Sequence, residues 1–82
     1  LTSPESGITL EVYTNEPGIQ VYTGNFLDGT IIGKNSLPLI KHAGFCLETQ
    51  FYPDTPNHPD FPQCTVKAGE VFRSTTKYAF KF

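Results

Sequence analysis

Ala43-Gly44-Phe45-Cys46-Leu47-Glu48-Thr49-Gln50 reads as a short β-strand with a carboxylate near its middle. Successive side chains of a strand point to opposite faces. Phe45, Leu47 and Thr49 therefore share one face, while Gly44, Cys46, Glu48 and Gln50 share the other. No cation stands next to Glu48 in the sequence. Two readings are open at this point. The polar face turns to solvent, the commoner fate of a lone strand carboxylate, or Glu48 lies in a cleft where an ionisable group acts on a ligand.

Upstream, Ile8, Leu10 and Val12 alternate with Thr9, Glu11 and Tyr13, a half-buried strand. Asn15-Glu16-Pro17-Gly18 ends it. Proline presets φ at the first central position of a turn and glycine accepts positive φ at the second, so a type II turn is expected. Ile19-Gln20-Val21-Tyr22-Thr23 is β-branched and aromatic, hence the next strand, with Gln20 and Tyr22 opposite Ile19 and Val21. Glycines and asparagines then break the pattern. The span 26–40 is expected to be loop-rich, with short extended pieces at 30–32 and 37–40.

Downstream, prolines recur at 53, 56, 59 and 62. That spacing favours an extended path without hydrogen bonds and excludes a helix or central strand. Phe51, Tyr52 and Phe61 need apolar neighbours, so the loop is expected to pack rather than to wave in solvent. A turn at Lys67-Ala68-Gly69-Glu70 leads to a final strand over 71–82, with Phe72, Tyr78, Phe80 and Phe82 on one face. No stretch carries a helical period. The chain is expected to be all-β and antiparallel. Three or four strands leave open edges and an uncovered aromatic face, which suggests one end of a larger sandwich.

Composition narrows the classes of function. The 82 residues suffice for one small domain, and seven Phe with four Tyr mark a folding chain. Net charge is −2 and the six basic residues are scattered, so nucleic acid and anionic membrane are poor partners. No apolar run approaches the ~20 residues that span a bilayer. The first seven residues are neither a signal peptide nor a native start, which suggests a processed or partial chain. Two cysteines, Cys46 and Cys64, do not make a disulfide scaffold; one bridge between them is possible, and the commoner reading is two thiols of a reducing, cytoplasmic setting.

Three chemical constellations can be weighed. His42, Cys46, His58 and Cys64 are a zinc-type ligand set, but their order and spacing fit no common zinc pattern, so no metal is expected. A Cys46–His42 nucleophile fails on distance, because four residues of extended strand span ~13 Å. Glu48 with Gln20 is the pair that suits a polyhydroxylated ligand: a carboxylate to accept, and an amide to donate and accept. Two solvent-facing polar residues on an open sheet remain the alternative.

The segments that hold this pair resemble a known family. The run from Glu11 to Asn25, with Glu16-Pro17-Gly18-Ile19-Gln20-Val21-Tyr22 at its centre, is similar to the C-terminal signature of the aldose 1-epimerases (galactose mutarotases). So are Gly44-Phe45-Cys46-Leu47-Glu48-Thr49-Gln50, Pro53-Asp54-Thr55-Pro56-Asn57-His58-Pro59, Phe61-Pro62 and the closing 69–76. The resemblance implies the C-terminal part of a large antiparallel β-sandwich, incomplete by itself, with a sugar cleft on one sheet. It implies interconversion of the α and β anomers of an aldohexose such as galactose or glucose, with no cofactor. A base takes the C1 hydroxyl proton, an acid protonates the ring oxygen, and the ring opens, rotates and recloses.

By that resemblance Glu48 is the general base, which calls for partial burial among hydrogen-bonding neighbours. Gln20 is the residue that binds sugar hydroxyls. The family's catalytic histidine, its second histidine and the arginine and aspartate that hold the sugar belong upstream. His42 and His58 match none of them. The expected partner is therefore the upstream portion of the same protein, as a separate chain or piece. The alternative on the same sandwich is a non-catalytic carbohydrate-binding relative.

Overall fold

A computed structural model describes residues Leu1–Phe82. The chain is all-β, with strands β1 (Thr9–Thr14), β2 (Gly18–Tyr22), β3 (Cys46–Gln50) and β4 (Thr76–Lys81). Two three-residue 3-10 turns, Lys34–Ser36 and Thr55–Asn57, are its only helical pieces. No helix is long and apolar enough to cross a membrane. The strands form two-stranded sheets, β1 with β4 and β2 with β3. By packing, the chain divides into one unit of 1–18 with 49–82 and a second of 19–48.

In the first unit, β1 and β4 are antiparallel with Leu10 opposite Phe80, Val12 opposite Tyr78 and Thr14 opposite Thr76. The apolar residues of both strands thus share a face, as the alternation requires. The other face is fixed by charge. Lys81 binds the Glu11 carboxylate on the diagonal, Tyr13 donates its hydroxyl to Glu11 at 2.6 Å, and the Lys77 ammonium lies 5.4 Å over the Tyr13 ring. Leu1 pairs with Leu10 in both directions, so the start of the chain runs along β1. The final strand is shorter than the alternation over 71–82 suggests. It starts at Thr76 because β1 ends at Thr14, and the Thr75 amide donates instead to the Asn15 side chain at 2.9 Å.

The turn before β2 also departs from expectation. Gly18 is the first residue of β2 and does not adopt the positive φ that a type II turn needs. Its missing side chain serves close approach instead: a Cβ there would meet the Tyr52 ring at 2.9 Å. Tyr52 in turn meets Phe61 edge-on at 5.2 Å, and His58 stacks on Phe61 at 4.6 Å. The proline loop is therefore packed, and Thr55 within it is buried. It is not free of hydrogen bonds, however. Asn57 donates to Asp54, His58 to Thr55 and Phe61 to His58, since Pro56 sits early in its turn where no donor is needed.

In the second unit, the loop after β2 contains the short extended pieces expected, bridged at Ile32 and Pro38. Gly29 supplies the positive φ of its turn, and Leu39 donates to Ile31. β3 is shorter than the stretch 43–50. His42 at φ 63° sends the chain into the strand, and the ladder starts only at Cys46. No hydrophobic residue in the chain is buried, and Phe72, Tyr78 and Phe80 are each about half exposed.

Candidate functional site

β2 and β3 carry the two expected site residues at their centres. Two close contacts fix how these strands run. A Cβ on Gly18 would lie 3.5 Å from the Gln50 carbonyl oxygen, and one on Gly24 would lie 2.9 Å from that of Gly44. The position numbers of both pairs sum to 68, so the strands are antiparallel. Counting inward by equal steps reaches Gln20 on β2 and Glu48 on β3. The two residues thus stand at one level of the ribbon, the geometry of cross-strand neighbours. The next level outward joins Tyr22 to Cys46. Sequence separation gave no hint of this proximity; the shared antiparallel ribbon creates it.

The local environment of Glu48 differs from the half-buried one expected. Glu48 and Gln20 are both exposed. The Tyr52 ring covers only the Gly18 end of that face, and the level of Gln20 and Glu48 stays open. The opposite face of β3 is more covered. Leu47 and Thr49 are half-buried, and the Thr49 hydroxyl lies 2.6 Å from that of Thr76 on β4. That hydroxyl contact had no sequence signal, because the two residues are 27 apart in the chain.

The histidines and cysteines do not join the pair. His42 Nδ1 lies 2.8 Å from the Thr23 carbonyl, which can only accept, so Nδ1 carries the proton. Its amide donates to Gly24, tying the loop to the end of β2. His58 Nε2 lies 3.2 Å from the Asp54 carboxylate within the proline loop. Cys46 is an exposed thiol and Cys64 a half-buried one. No three His, Cys, Asp or Glu side chains gather to hold a metal ion. A shallow depression lined by Tyr13, Thr14, Asn15, Thr75 and Lys77 contains none of the expected site residues.

The ribbon offers one carboxylate able to accept a proton and one amide able to orient a hydroxyl. A single carboxylate moves a proton one way, so a reaction that needs simultaneous deprotonation and protonation requires a second acid. The aldose 1-epimerase family pattern matches residues 1–79 of the chain. Galactose mutarotases of Bos taurus and Homo sapiens are each 56% identical over 75 residues, which is 92% of this chain and 22% of theirs. The aldose 1-epimerase of Escherichia coli K12 is 42% identical over 80 residues, 95% of this chain and 23% of its own. The chain therefore spans less than a quarter of the length of the relatives it matches.

Proposed function

Since the chain belongs to the aldose 1-epimerase family, we propose that it carries the general base and one sugar-binding residue of an enzyme interconverting the anomers of aldohexoses. Glu48 is the base and Gln20 the sugar-binding amide. The observation that carries this reading is their common level on the β2–β3 ribbon, each inside a segment that the family shares. The substrate is an aldohexose such as galactose or glucose, free in the cytoplasm. The rest of the sandwich supplies the acid that faces Glu48 and covers the ribbon.

In this mechanism the ionised Glu48 accepts the proton of the C1 hydroxyl. Electron density from that oxygen forms the C1 carbonyl as the C1–O5 bond breaks, while the external acid protonates O5. The open aldehyde rotates about C1–C2, and reclosure on its other face returns both protons. The proton held on Glu48 goes back to the new C1 oxygen, so the group is regenerated without a cofactor. Gln20 contributes by donating to and accepting from ring hydroxyls, which holds the sugar while C1 turns.

The test is Glu48→Gln in the full-length protein, followed by polarimetry on freshly dissolved α-D-galactose. Loss of one aligned acid–base group costs about 10²–10⁴-fold in rate. A wild-type rate of mutarotation in that variant would overturn the assignment.

A further inference from the structure

The proposed chemistry gives Thr49 no task, yet its side chain ties β3 to β4. Its hydroxyl oxygen lies 2.6 Å from that of Thr76, and the contact is partly buried. The Thr76 hydroxyl lies 3.4 Å from that of Thr14, and Thr14 donates to the Thr75 carbonyl at 3.0 Å. A hydroxyl has one proton to give. Thr14 spends its proton on the carbonyl, so it accepts from Thr76. Thr76 is then committed as a donor and must accept from Thr49. The order Thr49 to Thr76 to Thr14 to the Thr75 carbonyl follows, and the Glu16 amide closes it by donating to Thr14 at 3.0 Å. Each of the three hydroxyls has its proton placed.

The consequence reaches the neighbouring residue. β3 has a strand partner on one edge only in this chain, so ladder bonds alone leave it free to roll about its axis. Thr49 is β-branched and stiff at χ1, so a bond to its hydroxyl holds the backbone as well as the side chain. The residue before it in a strand points to the opposite face. At these two positions burial differs in the same sense: Thr49 is half-buried and Glu48 exposed.

We propose that Thr49, held from behind by Thr76, is a positioning residue that sets the direction of the Glu48 carboxylate. This rests on the reading of Glu48 as the base. The experiment measures kcat and KM for galactose in full-length Thr49→Val and Thr49→Ser. Valine keeps the branched shape and removes the donor, so kcat is expected to fall about ten-fold with KM within two-fold, as misplacement of a reacting group predicts. Serine keeps the donor and is expected to restore kcat to within about three-fold. Thr76→Val and Thr76→Ser repeat the pattern from the other end of the bond, and carry the test if Thr49→Val does not fold.

A valine variant of either threonine with unchanged kcat overturns the proposal. So does a serine variant as impaired as its valine counterpart, or a loss expressed wholly in KM. Glu48→Gln assayed beside them separates the two claims. If it is fully active, the base assignment itself fails. If it is inactive while Thr49→Val turns over normally, only the positioning role falls.

Discussion

Glu11 shows how a single carboxylate can organise one face of a ribbon in this chain. Its hydrogen bond to Lys81 is the main cause that holds its carboxyl below the ordinary 4.5, with the Tyr13 hydroxyl adding to it. The same contact raises Lys81 above its ordinary 10.5. The signs follow from linkage. Glu11 is lowered on folding, so its stabilisation exists above the unfolded value and is lost as pH falls through the lower folded value. Lys81 is raised, so its stabilisation exists below the unfolded value and is lost as pH rises through the higher one. The pair therefore supports the ladder across the whole interval between. In the full-length protein, carboxyl NMR should give a Glu11 midpoint below 4.5, returning toward it in Lys81→Met. An unchanged midpoint in that variant would remove the pairing from the account. The effect on stability is expected to be small, because both groups are in water. At this scale the sequence was informative: period-two alternation already put Glu11 on the polar face of β1 and Glu48 mid-strand on β3. It said nothing of Thr49 and Thr76, which meet across 27 residues.

Among the elements, β2 is where local signals and tertiary demands diverge. Pro17-Gly18 has the composition of a type II turn, and glycine is equally the residue of close approach. The Tyr52 ring decides between them, and it belongs to a loop far along the chain. Gly18→Ala should therefore destabilise the protein even though the backbone there suits alanine. Placing a Cβ 2.9 Å from Tyr52 forces the ring to shift and disturbs its edge-on contact with Phe61. Overpacking of this kind costs about 1–3 kcal/mol, and the partly exposed ring puts this site near the lower figure. Thermal unfolding of the full-length variant should show a lowered midpoint, and an unchanged one would reject the steric role. The last strand is likewise shorter than the alternation over 71–82 suggests. Alternation continues to Phe72, but a strand extends only as far as its partner, and Asn15 ends the pairing. The proline loop was legible as packed from its aromatics, while its turn bonds were hidden because Pro56 fits an early turn position.

For the molecule as a whole, the sheets and the aromatic content point the same way. Two two-stranded ribbons with no buried hydrophobic residue do not meet the minimum for independent stability. The 82 residues produced alone are expected to melt without a cooperative transition, whereas a sharp sigmoidal unfolding curve would contradict that expectation. The all-β class and the family were readable from alternation and from the segments around Gln20 and Glu48. The exposure of those residues was not, since burial of a sheet face depends on what is laid over it. The central claim is that the Glu48 carboxylate moves the anomeric proton. Its most direct measurement is NMR exchange between the two anomeric signals of galactose at equilibrium. Full-length wild type and Glu48→Gln would be compared at sugar concentrations that give equal occupancy. The account predicts exchange in the wild type and near-spontaneous exchange in the variant despite bound sugar; equal exchange in both would contradict it.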